Sequence, residues 1–232
     1  MRVVMCAGPP TSGKTMVLLQ AAARLRRRGH SLAYLKMDVQ YAEEDVLFRE
    51  RLGIPARKVL SGELCPDHCG VLIMAEAIAW AEAEGAETFL VETAGLCLRC
   101  APYIEGTLGV AVIEATSGMS LPRKIGAMLA LADIAVVTKI DLVSQAEKEV
   151  FKANIVEAAP LPVIETDALR GIGIDRLVNR IEKAAPVGAP LRLKGLPPVA
   201  TCTICAGKRE IGWEHHFGVL RTLDSDLFYR GQ

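Results

Sequence analysis

Apolar, β-branched runs punctuate the chain at "RVVMCA" (2–7), "SLAYLKM" (31–37), "TFLVE" (88–92), "VAVIEA" (110–115), "IAVVTK" (134–139) and "LPVIE" (161–165). They are too continuous for half-exposed strands and suit a sheet covered on both faces. Between them lie helix-periodic stretches: Lys14 to Arg28 closed by Gly29, Glu43 to Leu52 closed by Gly53, Val71 to Glu84 closed by Gly85, Pro122 to Leu131, Gln145 to Ala158 and Ile174 to Ala184. Strand and helix alternate throughout. That alternation predicts an α/β fold, a mostly parallel sheet with crossover helices on both faces. At "APVGAPLRLKGLPP" (185–198) Pro and Gly recur and the periodicity is lost. A main domain over 1–185 and a linker with a small C-terminal segment over 186–232 are therefore expected.

Composition adds limits. A hydrophobic share of 51% over 232 residues leaves ample material for a core. Lys+Arg and Asp+Glu are both 27, so no polyanion-binding surface is indicated and nucleic acid is not an expected partner. The start of the chain lacks the cationic and apolar regions of a signal peptide, and no apolar run approaches the ~18 residues of a membrane span. A cytoplasmic protein without a membrane partner is expected. In that compartment the seven cysteines read as ligands rather than disulfides. Six fall in close pairs, Cys65/Cys69, Cys97/Cys100 and Cys202/Cys205, while Cys6 stands alone in the first apolar run and reads as a packed thiol. Random scatter would place about 0.2 pairs at a separation of three, against the two present.

The stretch "GPPTSGKT", Gly8 to Thr15, follows the first strand and opens the first helix with the P-loop spacing G-x-x-x-x-G-K-[ST]. In such a loop the backbone N–H groups from Gly13 to Thr15 face a β-phosphate, with the helix dipole behind them. Pro9 and Pro10 precede those donors and only stiffen the turn. Gly8, Ser12, Gly13, Lys14 and Thr15 are the candidate phosphate residues, with Lys14 neutralising the β/γ-phosphates and the Thr15 hydroxyl ligating Mg²⁺. Further on, Thr138, Lys139 and Asp141 stand at the carboxyl end of a strand, where an open α/β sheet binds its ligand. An Asp there can accept hydrogen bonds from the N1–H and exocyclic amine of guanine, which adenine cannot offer. The Lys139 stem can lie over the base, and "TDALRGIG" (166–173), with Asp167 and Ala168, looks like the loop that closes on it. GTP is the favoured substrate. Alone, Asp141 is also explained as a cap for the helix that follows it.

Together these motifs make residues 1 to about 185 resemble the metallochaperone branch of the SIMIBI class of P-loop GTPases, especially the nickel-insertion GTPases of hydrogenase and urease maturation. The family's Asp at the end of its second strand is matched by Asp38 in "LKMDVQ", its acidic helix by "EEDVLFRERLGIPARKV", its Gly-x-x-Cys segment by "SGELCPDHC" and its Glu-x-x-Gly stretch by Glu92 to Gly95. The resemblance implies that Asp38 and Glu92 hold Mg²⁺ through water, forming with Lys14 the catalytic set. Thr138 departs from the family, whose base-reading motif usually starts with Asn, and this implies weaker guanine discrimination.

The cysteines would supply the purpose. Thiolates with an imidazole suit nickel, zinc, copper(I) or an iron–sulfur cluster, and ligand softness does not choose among them. Cys65, His68, Cys69, Cys97 and Cys100 form the first candidate metal set, against the bland reading of buried cysteines packing helix ends. The resemblance implies that Cys65 and Cys97 contribute to a metal site at the interface of a GTP-dependent homodimer. Cys202, Cys205, His215 and His216 form a second possible set, in the manner of a small zinc knuckle. Its alternative is an amphipathic hairpin packed on the main domain.

Two functions stay open. One is a GTPase that delivers nickel, another metal or a metallocofactor to a client metalloenzyme or its maturation proteins. The other is an iron–sulfur-carrying P-loop ATPase that couples hydrolysis to electron transfer or cluster assembly. A small-molecule kinase is disfavoured because it would not need Asp141.

Overall fold

Every apolar run becomes a strand, and one strand forms where no such run exists. The chain is described by a computed structural model covering residues 1–94, 103–196, 207–212 and 215. Its strands are β1 (Arg2–Ala7), β2 (Leu32–Asp38), β3 (Ala56–Leu60), β4 (Thr88–Glu92), β5 (Leu108–Glu114), β6 (Ile134–Thr138) and β7 (Val163–Glu165). Its helices are α1 (Lys14–Arg27), α2 (Glu44–Leu52), α3 (Pro66–Ala83), α4 (Leu121–Lys124), α5 (Gly126–Leu131), α6 (Gln145–Ala158) and α7 (Ile174–Glu182). The seven strands run parallel in the order β3-β2-β4-β1-β5-β6-β7.

Strand periodicity of two sorts the core into two layers. Even-numbered positions such as Val4, Tyr34, Leu90 and Val112 pack with Leu18 of α1, Phe48 of α2 and Leu177 of α7. Odd-numbered positions such as Met5, Leu35, Val91 and Ile113 pack with Leu72 of α3, Leu129 of α5 and Phe151 of α6. Burial on both faces is what the unbroken apolar runs require. Parallel strands also bring all their carboxyl ends to one edge, so the P-loop, Asp38, Glu92, Glu114 and Thr138 emerge on the same side of the sheet.

The differences from the sequence expectation have local causes. β3, "ARKVL", was not expected because Arg57 and Lys58 interrupt it; as an edge strand it tolerates polar positions. Helix α3 begins at Pro66, five positions before Val71, because Pro at the first helical position and Asp67 in the first turn favour a start there. The expected helix from Pro122 to Leu131 is divided, Gly126 opening its second piece.

The described part of the C-terminal segment packs onto the main domain. The Glu105 amide donates to Arg192 O at 2.8 Å, the Lys194 amide to Tyr103 O at 2.7 Å and the Gly212 amide to Val71 O at 3.1 Å. Leu193 and Ile211, 3% and 7% exposed, join the layer beneath α3. Among the described residues no helix is long and apolar enough to cross a membrane.

Candidate functional site

The loop between β1 and α1 is shaped by its glycines. A Cβ on Gly8 would lie 2.1 Å from the Val112 carbonyl oxygen, so only glycine permits this approach to β5. Gly13 caps α1 in the left-handed region, φ 88°, which glycine adopts without strain. The Lys14 amine folds back and donates to Gly8 O and Pro9 O, both at 3.0 Å. Burial pushes this amine below its ordinary value, with Glu92 opposing the shift. Ser12 Oγ is buried and has no hydrogen-bond partner among the described residues. A phosphate in this loop would offer an anionic partner to the amine and an acceptor to the hydroxyl.

Beside the loop stands a cluster that follows from strand pleat and sheet order. Tyr34, Lys36 and Asp38 alternate along β2 onto one face, and β2 and β4 pair with Lys36 opposite Glu92. Glu92, 1% exposed, collects donors from three directions. Thr15 Oγ1 donates to its Oε1 at 2.9 Å, the Lys36 amine donates to the same oxygen at 2.8 Å, and the Tyr34 hydroxyl donates to Oε2 at 2.8 Å. Tyr34 is itself held by a stack on Phe48, with centroids 3.6 Å apart. Lys36 also faces Glu44 at 3.1 Å and Asp38 at 3.4 Å. Burial alone would lower the Lys36 amine, but Glu92, with Glu44 and Asp38, holds it above its ordinary value. Burial and then Glu92 push the Tyr34 hydroxyl well up, so it stays a donor.

The expected Mg²⁺ residues Thr15 and Glu92 thus meet, and Asp38 joins them through Lys36. Lys36, Tyr34 and Glu44 were not anticipated. The available signal was a Lys two positions before Asp38 in a strand otherwise fit for burial, since a lysine there requires an anionic partner.

On the other flank, Thr138 is 1% exposed and its hydroxyl donates to Ser12 O at 2.6 Å, tying the end of β6 to the P-loop. Lys139 takes a left-handed conformation, φ 56°, and pairs with Glu114 at the end of β5. Asp141 lies in a short 3-10 turn (Ile140–Leu142), its Oδ2 3.1 Å from Arg170. Helix α6 is capped by Ser144, whose hydroxyl accepts from the Glu147 amide while Glu147 answers with the reciprocal bond. The helix therefore does not need Asp141 as its cap. Asp167 is turned into its own loop: Oδ1 accepts from the amides of Leu169 and Arg170 at 3.1 Å, and Oδ2 pairs with the Arg170 guanidinium at 2.7 Å. Burial alone would raise the Asp167 carboxyl, but these contacts with Arg170 and Leu169 together hold it below its usual range. Ala168 is buried beside it. Arg170, another residue the sequence reading passed over, therefore bridges the two carboxylates of this flank.

The thiols divide differently. Cys65 is exposed and immediately precedes α3, whereas His68 and Cys69 are buried in its first turns. Cys69 belongs to the apolar layer beneath α3, and burial, with Cys65 nearby, pushes its thiol up to about 12. Cys6 is likewise buried, its thiol raised by burial and then by Glu92. Cys97, Cys100, Cys202, Cys205 and His216 lie outside the described residues. His215 is exposed near the face of α3 that receives Gly212. Among the described residues no three His, Cys, Asp or Glu side chains gather closely enough to hold a metal ion.

Comparison with known proteins bears on this geometry. The family profile described as "CobW/HypB/UreG, nucleotide-binding domain" matches residues 2–164. An uncharacterized protein of Methanocaldococcus jannaschii, MJ0120, is 38% identical over 235 residues, spanning 100% of both chains. Urease accessory protein UreG 2 of Streptomyces griseus is 28% identical over 205 residues, covering 78% of this chain and 86% of that protein. Among solved structures, the hydrogenase maturation factor HypB of Archaeoglobus fulgidus superposes with a TM-score of 0.64 at 22% identity, over 78% of this chain and 89% of its own. HypB of Helicobacter pylori, solved in complex with nickel, gives 0.65 at 18% identity, over 82% and 91%. At such identities the two structures speak for the fold.

Proposed function

Because the chain belongs to the CobW/HypB/UreG family, whose nucleotide-binding domain spans residues 2–164, we propose that it is a cytoplasmic GTP-hydrolysing maturation factor. It delivers a transition metal, nickel first among the choices, to a client metalloenzyme or its maturation proteins. The observation that carries this reading is the Thr15–Glu92 contact at 2.9 Å, between residues 77 positions apart in the chain. It brings the hydroxyl of a P-loop helix to a buried carboxylate at the end of a neighbouring strand. Nickel follows from the resemblance to the nickel-insertion GTPases, and one structure of similar fold, HypB of Helicobacter pylori, was solved in complex with nickel.

The donor set is hydroxyl and carboxylate oxygen, which suits a hard cation such as Mg²⁺. Thr15, Asp38 and Glu92 would hold it, and when bound it would neutralise charge on the phosphate oxygens. The chain's own residues then act around the triphosphate. Lys14 leaves the carbonyls of Gly8 and Pro9 for the phosphates, and the amides opening α1 bind the β-phosphate. Asp38, its side chain 27% exposed, would orient a water. Asp141 accepts from the guanine edge once Arg170 yields it. Cys65 and Cys97 from two subunits would share the cargo metal in a GTP-dependent homodimer.

The test compares turnover of GTP and ATP, then metal affinity by chelator competition with GDP and with a non-hydrolysable GTP analogue. Linkage requires that GTP, if it favours the paired state, also favours the completed metal site. A tenfold difference between nucleotide states corresponds to about 1.4 kcal/mol. Equal affinities would remove the delivery mechanism, and turnover of ATP in preference to GTP would bring forward the iron–sulfur-carrying ATPase.

A further inference from the structure

Lys36 donates into the Glu92 cluster, and the proposed function gives it no part. Its amine stands 2.8, 3.1 and 3.4 Å from the carboxylates of Glu92, Glu44 and Asp38. An ammonium has three protons, and here each can face a carboxylate. The oxygen it takes from Glu92 is the same Oε1 that receives the Thr15 hydroxyl. The amine therefore sits against the inner coordination edge of the residues proposed for Mg²⁺. It also stands between acidic side chains that, among the described residues, do not close on one another as a metal site.

This inference rests on the Mg²⁺–GTP reading above. We propose that Lys36 is an internal cation that occupies the carboxylate cluster when no nucleotide is bound, so that the site accepts a divalent ion only together with a triphosphate. The physical reason is charge. One positive group already compensates the carboxylates and covers their inward oxygens. A divalent ion arriving alone must displace it, while a triphosphate brings enough negative charge for both cations.

The device would matter in a chain that also handles a transition metal. Ni²⁺ and Zn²⁺ bind most donor sets more tightly than hard divalent ions do. An open hydroxyl–carboxylate site would therefore capture cargo in place of Mg²⁺. Lys36 closes it until nucleotide arrives.

The probe is Mn²⁺, counted by the electron-paramagnetic signal of the free ion, on the full chain without nucleotide. The parent protein, Lys36→Gln and Lys36→Arg are compared, with folding followed by circular dichroism and binding of a fluorescent GTP analogue as the control. Gln keeps a donor toward Glu92 without the charge, and Arg keeps the charge. Lys36→Gln should bind nucleotide-free Mn²⁺ about tenfold or more tightly than the parent, and Lys36→Arg should resemble the parent. Should Lys36→Gln fold only when Mn²⁺ is present, that rescue equally supports the inference.

A Lys36→Gln protein that Mn²⁺ neither binds more tightly nor rescues, while the parent binds the GTP analogue, overturns the role of Lys36 and leaves the proposed function standing. A parent that fails to bind the GTP analogue removes both.

Discussion

Replacing Thr138 by Val separates two roles that the sequence left joined. Standing where related base-reading motifs usually have Asn, Thr138 suggests an effect on guanine discrimination. In the fold its hydroxyl has one proton, and of the two nearby acceptors Ser12 O lies at 2.6 Å and Ile113 O at 3.4 Å, so the bond goes to the P-loop. Val has nearly the same shape, hence no cavity opens, but the Ser12 carbonyl loses its donor in a residue with no exposed surface. A buried acceptor left unpaired costs about 1–3 kcal/mol. At about 2 kcal/mol, a chain of this size should melt about 4–8 °C lower.

The assay is thermal denaturation without nucleotide, followed by titration with fluorescent GTP and ATP analogues. Thr138→Val should weaken both nucleotides together because the loop proposed to hold the phosphates has lost a tether, with the GTP:ATP preference unchanged. A collapse of that preference at an unchanged melting temperature would refute the tether and return the hydroxyl to the base.

Other expectations concern separate parts of the molecule. Asp141→Asn should move nucleotide preference from GTP toward xanthosine triphosphate, since an amide can donate to the xanthine 2-oxygen where a carboxylate cannot; competition titration reads this directly. Leu193→Ala should cost about 2–4 kcal/mol in denaturant unfolding, because Leu193 is 3% exposed in the layer beneath α3. Unchanged stability would mean the segment after residue 186 contributes no core. Cys69 should resist iodoacetamide at pH 8 in the native chain and react on unfolding, as read by peptide mass mapping, because its thiol is held up to about 12. The same group sets a pH direction: the unfolded thiol ionises near its ordinary 9.0 while the folded one stays protonated to about 12. The unfolded state therefore binds fewer protons across that window, and the Cys69 contribution to stability should be intact below pH 9 and fall as pH rises.

What the sequence determined by itself was whatever is carried by neighbours along the chain. The P-loop is legible because phosphate-facing amides, lysine and hydroxyl all belong to "GPPTSGKT" and the helix it opens. The α/β class is legible because strands buried on both faces must be continuously apolar, and those runs became β1, β2, β4, β5, β6 and β7. The reciprocal cap of α6 also lies within four residues, Ser144 to Glu147, although the sequence had offered Asp141 as the cap.

Tertiary structure decided the pairings across the chain. β4 is inserted between β1 and β2, and only that order sets Lys36 and Tyr34 against Glu92, with Thr15 on its other side. No spacing rule links residues 56 or 77 positions apart. The edge strand β3 took polar residues because it is paired on one side only. The segment after residue 186, which composition marks as a break, packs Leu193 and Ile211 into the core because the layer beneath α3 offers apolar surface that must be covered.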